Sequence, residues 1–483
     1  MERHWLINLL ELLVPLLWLG CTACVDLDGQ DRRAWLQETL IEDNLALLAR
    51  DPATTGGKFL KMGSSPYNLF RGTVGQFVRD SAQRGPGYLP TRFGSVEGSR
   101  VLLVGDPHLE NLGTFRAASG ELLVDFNDFD ASGYGPWILD VRRLALSVWL
   151  TAALLPEDGV DAVSPGELAA SVARGYADEV SAETDGSPPL RVRAGEHGAI
   201  LDDLFERAEA NGDADTALSD YTRVVGGRRV MVFGELEAGP VEGVDGDVVR
   251  APPVEEQRLV EAHLAQVGAT LIASIPQDQL AVKGVSRRLG AGVSSYPLWR
   301  YYVLVEGPTQ APDDDWLLEV KETSDPPRRP GLAVHPGRQF ASNGARVVSS
   351  QRALQERPDA DPLLGCLDLG RLSFRVRERT SYQRGLAVDR IVERVGDGRW
   401  SVADLQELAT IAGRLLARAH LNAPTLHGGD ALLIVAADLG GDRDGLAEET
   451  TRFVEVYGPQ LLTDHQLLNA LLADEGPTLG YRP

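Results

Sequence analysis

Cysteine is nearly absent from this chain. Three occur in 483 residues, Cys21, Cys24 and Cys366, and that is no disulfide framework. Basic residues are also scarce: 47 Lys and Arg face 70 Asp and Glu, for a formal net charge of −23. A surface of that sign cannot neutralise many phosphates at once, so nucleic acid is excluded as a partner. It favours a soluble, self-repelling exterior. Short repeats and long low-complexity tracts are missing. So are long apolar runs, apart from one near the start. That run, Leu6 to Leu19, falls short of the roughly 20 residues needed to span a bilayer.

The run does fit the apolar region of a secretory signal. Arg3 and His4 give it a basic start, and "LGC" closes it. The ending resembles a bacterial lipoprotein cleavage site with Cys21 as the acylated residue, although Trp18 stands where Leu is usual and Glu11 interrupts the run. Residues 1–24 are therefore expected to be a signal peptide and lipid anchor, the protein's only membrane contact, with the rest at the cell envelope. The alternative is a misassigned start or an ordinary amphipathic helix, in a cytoplasmic protein.

What remains is ample for a folded protein. Hydrophobic residues make up 43 %, enough for a sizeable core, and the length suggests two or three structural units. "DRRAWLQETLIEDNLALLARD", "PWILDVRRLALSVWLTAALL", "SPGELAASVARGYADEV", "PPVEEQRLVEAHLAQVGATLIASI" and "VADLQELATIAGRLLARAHL" read as helices. Residues 183–250 read as loops with a short helix or two. "RVLLVGD" and "GELLVDFND" read as strands paired with each other. Past residue 280 the character changes. "AVKGVSRRLGAGVSS", "WRYYVLVEGP" and "DDWLLEVKET" predict three strands, "ARVVSSQRALQER" a helix, and "DPLLGCLDL" with "LSFRVRERT" a strand pair. A five-stranded unit with one helix, residues 280–382, is thus expected between a helical region at 25–279 and further helices at 383–483.

The chemistry concentrates in "GDPHLENLGTF", residues 105–115, and in the "NDFD" that follows. Such a polar cluster is costly if buried and needless if merely solvated. A strand leading to Asp106, with Asn111 five residues on and with Asp128 and Asp130 sharing one face of the next strand, suits magnesium-dependent phosphoryl transfer. Asp106 would take a proton from, or orient, an attacking hydroxyl. Asn111, Asp128 and Asp130 would supply hard oxygens to Mg²⁺, which keeps several waters and needs few protein ligands. His108 and Glu110 would support the loop, and Asp140 would bond its backbone. Asp125 points to the opposite face of its strand. In the β unit, Gly290 and Gly292 would place backbone N–H groups on phosphates, and Lys321 in "LLEVKE" would reach them. Arg71 would fix the loop.

These segments, together with "KMGSSPYNLFRG", "RVVSSQR" and "LARAH", resemble the bacterial domain-of-unknown-function family 2252 over roughly residues 58–420. The family's motifs are in turn similar to those of aminoglycoside and choline phosphotransferases. Gly105, Asp106, His108, Asn111, Asp128, Phe129, Gly135, Pro136 and Asp140 match that run. The resemblance implies an α+β, two-lobed, protein-kinase-like fold. It would be circularly permuted, since the small lobe here follows the catalytic loop. It also implies ATP and Mg²⁺ as cofactors and an unidentified small-molecule or protein acceptor. The Gly-rich turn lacks a third Gly, and the helix offers Lys321 only Gln351 or the more distant Glu356.

Three other readings share these residues. A nucleotide-binding scaffold without catalysis suits the cell envelope, where ATP is scarce. A reversed nucleotide would transfer AMP. A binuclear metallophosphatase also opens with "GDPH", but needs further His after a Gly-Asn pair. None of His197, His263, His335, His420, His427 and His465 lies in such a setting.

Overall fold

The computed structural model describes residues 29–82, 85–117, 119–156, 164–210, 214–237, 247–272, 274–328, 339–356, 361–380 and 382–483. The expected signal and anchor at residues 1–24, with Cys21 and Cys24, lie outside them. Among the described residues, no helix is long and apolar enough to cross a membrane. The chain is α+β.

Helices form where the sequence provides both an apolar stripe and a start signal. Ser164 accepts the Glu167 amide ahead of Pro165–Thr184, and Ser401 forms a capping box with Asp404 ahead of Val402–Asn422, which satisfies amides that the first turn leaves unpaired. One expected helix is two. Gly29–Asp43 and Leu45–Arg50 are separated at Asn44, whose side chain donates to the Leu40 carbonyl and accepts from Lys58 Nζ. A side chain that serves the backbone in this way competes with helix continuation.

Four short strands frame the polar loop: β1 (Val101–Leu103), β2 (Leu112–Arg116), β3 (Leu122–Phe126) and β4 (Gly133–Gly135). The expected pairing of "RVLLVGD" with "GELLVDFND" does not form. β3 pairs with β2, and β1 pairs with β4. The polar loop reverses the chain at Leu109–Asn111, so β2 and β3 meet as a local hairpin and β1 is left to find β4.

Strands β5 (Thr222–Val225) and β6 (Arg228–Met231) form a hairpin. Then come β7 (Gly234–Glu237), β8 (Asp247–Arg250), β9 (Val282–Leu289), β10 (Arg300–Val305), β11 (Trp316–Thr323), β12 (Gly365–Leu369) and β13 (Leu372–Glu378). These last seven make one antiparallel sheet in the order β12-β13-β11-β10-β9-β8-β7. The expected five strands are therefore seven, and the sheet reaches back past residue 280. β7 and β8 are four residues each and mostly polar, so they carry little alternation to read.

Along the central strands, alternate residues face opposite sides. Tyr301, Val303, Leu318, Val320, Phe374 and Val376 pack under the helix Val254–Leu264 in one core. Glu319, Lys321, Arg375 and Arg377 therefore turn the other way, toward the helical part of the chain. The core of that part is built on the helices Trp137–Ala153, Pro165–Thr184, Val402–Asn422 and Arg443–Glu475. The second and third touch backbone to backbone. A Cβ on Gly175 would lie 2.1 Å from the Thr410 carbonyl oxygen, and one on Gly413 equally close to that of Val172, so only glycine fits at the crossing. The outer helices are joined by a buried knot of charge. Arg32 donates to both carboxylates of Asp80 and Asp464, at 2.6–3.1 Å, and Tyr457 Oη also donates to Asp80.

Candidate functional site

The polar loop lies between the helical part and the charged face of the sheet. Gly105 turns it with φ 92°, a conformation that favours glycine, and donates its N–H to Asp140 Oδ2 at 3.1 Å. Asp140 is in turn 3.2 Å from His420 Nε2, whose Nδ1 meets Tyr176 Oη at 3.0 Å. The loop is thus held from behind by a buried chain of polar groups. Asn111 Nδ2 donates to the Asp106 carbonyl at 2.9 Å. Glu110 joins Arg71 at 2.6 Å and accepts the Val388 amide, so Arg71 fixes the loop.

Asp106 has a partner that sequence spacing did not reveal. Arg143 Nε donates to its Oδ1 at 2.8 Å. The Arg143 guanidinium stacks 3.8 Å from the Phe70 ring centroid and donates to the Phe70 carbonyl. The other oxygen, Oδ2, bonds to nothing among the described residues, and the side chain keeps 16 % of its surface exposed. Burial pushes the Asp106 carboxyl above the usual carboxylate range, although Arg143 opposes it. His108 is only 3 % exposed and sits edge-on to Tyr67 and Phe70. Burial, with Arg71 and Arg143 nearby, holds its imidazole well below its ordinary pKa and therefore neutral. Its Nδ1 is buried without a partner.

Asp128 and Asp130 follow β3 in a turn rather than within a strand, so the expected shared strand face does not apply. They still converge: Lys321 Nζ lies 3.4 Å from Asp128 Oδ2 and 2.5 Å from Asp130 Oδ2. These are the acidic partners of Lys321. Gln351 bonds Gln355, and Glu356 pairs with Arg191. Burial pushes the Asp128 carboxyl up, but Lys321 and Arg375 outweigh it and hold it well below the usual range. Arg346, fully buried, staples this turn by donating to the carbonyls of Asp130, Ser132 and Ser324, each at 2.8 Å. Asp125 is set apart, as expected: it pairs with buried Arg418 at 2.6 Å.

Between β9 and β10 the Gly-rich turn has φ 73° at Gly290 and 83° at Gly292. Ser294 Oγ donates to the Arg71 carbonyl, which pins the turn against the helix Pro66–Gly72. Gly292, Asp106, His108, Asn111, Asp128, Asp130 and Lys321 line one cavity of about 1350 Å³; Gly290, expected beside them, is not among its lining residues.

Among the described residues, no three His, Cys, Asp or Glu side chains converge as a metal-holding group. The three expected magnesium ligands, Asn111, Asp128 and Asp130, nonetheless line the same cavity. Asp130 Oδ1 is buried without a hydrogen-bond partner, and with Asn111 and Asp128 it offers hard oxygens to an ion that keeps much of its water. Sequence spacing missed Arg143 and Arg346, which lie far along the chain from what they hold. It also missed Glu319, where Arg300, Arg375 and Arg377 converge. The alternation in "LLEVKE" and "SFRVRERT" carried that signal.

Fold and site define an α+β protein with a cleft lined by Asp106, Asp128 and Asp130 on the loop side and by Lys321 and several arginines on the sheet side. The chain belongs to the family described as uncharacterized proteins conserved in bacteria (DUF2252), whose model matches residues 50–471. No curated protein and no solved structure matches it.

Proposed function

We propose that the cleft is the site of an ATP- and Mg²⁺-dependent phosphotransferase acting on a hydroxyl-bearing acceptor, in a kinase-like fold with its lobes in permuted order. The observation that carries this reading is the meeting of Lys321 with Asp128 and Asp130 across the cleft, beside Asp106 and Asn111. The element order supports it: strand, Gly-rich turn, strand, Lys-bearing strand, helix, strand pair. The amides of Gly292–Ser295 donate to no backbone carbonyl among the described residues, so they remain open to phosphate oxygens.

In this reading Asn111, Asp128 and Asp130 would hold Mg²⁺, which would supply positive charge against the phosphates. Lys321 would bind the nucleotide phosphates. Asp106 Oδ2 would take the proton of the acceptor hydroxyl as the new O–P bond forms and the bond to the departing nucleoside diphosphate breaks. The raised pKa of Asp106 suits a base, and Arg143 orients it. His108, buried and neutral, positions the loop. The Arg143–Asp106 ion pair also favours a second reading, a nucleotide-binding scaffold in which Asp106 is structural.

Titration of ATP into the folded protein with and without Mg²⁺, followed by self-labelling and phosphate-release assays, tests both. Mg²⁺-dependent binding lost in Asp128→Ala, and turnover lost in Asp106→Ala with binding kept, is expected. Binding without any turnover would leave the scaffold. No rise in melting temperature with ATP and Mg²⁺ would overturn both.

A further inference from the structure

We propose that the cleft-facing side of the sheet is a second anion subsite, built for a ligand with several phosphate groups. Its residues are Arg300, Arg375, Arg377, Arg379 and Arg384. None belongs to the magnesium and base machinery, and the proposal stands without the phosphotransfer reading.

The argument is one of charge and register. Arg377 stands opposite Glu319 and Arg375 opposite Lys321 in the β11–β13 ladder. Arg379 continues the same alternation. From Arg375 to Arg379 this row runs about 13 Å, at roughly 3.3 Å per residue. Three of the guanidiniums converge on one carboxylate: Glu319 receives Arg375 at 2.6 Å, Arg377 at 3.0 Å and Arg300 at 3.6 Å. The guanidiniums of Arg379 and Arg384 make no side-chain hydrogen bond or ion pair among the described residues, although Glu319 and Tyr302 attract Arg379 at longer range, and both line the cavity. The Nε atoms of Arg375 and Arg384 are buried and unpartnered. Asp128 and Asp130 also act on Arg375, but Lys321 pairs with both. The remaining carboxyls near the row, Asp361 and Glu378, are pushed by burial up to about 6 and about 7, so they cancel little of the positive charge near neutrality. Burial and the like charge of Arg375 push the Arg377 guanidinium down.

Arg375 is buried and the other four are partly buried, and guanidiniums shielded from water in excess of carboxylates are costly unless something else satisfies them. In a protein with a net charge of −23, such an excess is not a property of the general surface. Arginine pairs bidentately with phosphate and suits a planar, multi-point match better than lysine does. The length of the row calls for more than one phosphate. Those phosphates belong either to the nucleotide or to a phosphorylated acceptor.

The test uses the full chain and sodium tripolyphosphate without Mg²⁺, read by calorimetry and by melting temperature. Wild type is expected to bind. Arg377→Gln/Arg379→Gln should weaken binding by about tenfold or more, the scale of a lost charge-assisted pair. Arg379→Gln alone, which breaks no side-chain hydrogen bond or ion pair, should weaken it too while shifting the unliganded melting temperature far less than Glu319→Gln does. Asp128→Asn should still bind tripolyphosphate, which separates this site from the magnesium site. A control pair on the exposed hairpin, Arg223→Gln/Arg228→Gln, should leave affinity unaltered. Competition with Mg-ATP would assign the wall to the nucleotide, and simultaneous binding to the acceptor. No binding by wild type, equal binding by the Arg377/Arg379 variant, or equal weakening by the hairpin control would overturn the proposal.

Discussion

The two walls of the cleft solve the same electrostatic problem in opposite ways. On the loop side three carboxylates that face the cavity share two cations: Arg143 for Asp106, and Lys321 for both Asp128 and Asp130. On the sheet side the ratio is reversed, and Glu319 alone serves three arginines. The loop wall carries unspent acceptors, among them Asp130 Oδ1. The sheet wall carries unspent donors. A buried group with a matched partner is a positioned tool, whereas a buried excess of one sign is a receptor.

The sharpest break in that comparison is at Asp106. Asp106→Asn should keep Mg-ATP affinity and lower turnover by roughly 10²–10⁴, the range of a positioned base; single-turnover kinetics separate the two effects. On the sheet side, Glu319→Gln removes the shared counter-charge. Burial would raise the Glu319 carboxyl, but Arg377, Arg300 and Arg375 hold it well below the usual range, so the variant loses a fully ionised partner. We expect a loss of about 3–5 kcal/mol in a denaturant titration, as for a broken buried pair. Saturating tripolyphosphate should restore part of it, about 2.7 kcal/mol at a hundredfold excess over Kd. No restoration would mean that the arginines serve packing alone.

The pH dependence should divide along the same line. A base works ionised, and burial raises Asp106, so turnover should fall on the acid side as pH drops through that raised value. Asp128 is held low and stays ionised, so Mg-ATP affinity should outlast turnover on acidification. Parallel loss of both would place the titrating group elsewhere. The smallest effect is at the rim. Glu378 protonates below about 7 through burial and the nearby Asp361, which removes negative charge beside the arginines. Anion affinity of the wild type should therefore rise by roughly threefold as pH falls through that value, and Glu378→Gln should lose that step.

The loop wall was legible in the sequence because its parts are close along the chain. Asp106, Asn111, Asp128 and Asp130 fall within 25 residues, and a local hairpin brings them together. Lys321 was legible from strand alternation and its place in the element order. Arg143 and Arg346 were not, because an Arg on a helix looks the same in sequence whether it faces solvent, a carboxylate or a backbone carbonyl. Strand pairing failed for a related reason. β1 is three residues long, and nothing in three apolar residues specifies a partner. The short polar strands β7 and β8 were read as loop because β propensity and alternation both need length.

The knot around Arg32 bears on how the molecule is made. Arg32 and Asp464 are 432 positions apart. At a synthesis rate of about 5–20 residues per second, the first exists for tens of seconds before the second leaves the ribosome. Asp80 is available early and can hold Arg32 in the meantime. Asp464 then arrives on the helix Arg443–Glu475, which packs against the first described helix, and closes the bundle. The large helical core therefore closes later in synthesis than the sheet, whose strands all lie between residues 234 and 378 and which has every one of its parts in hand well before Asp464 is made.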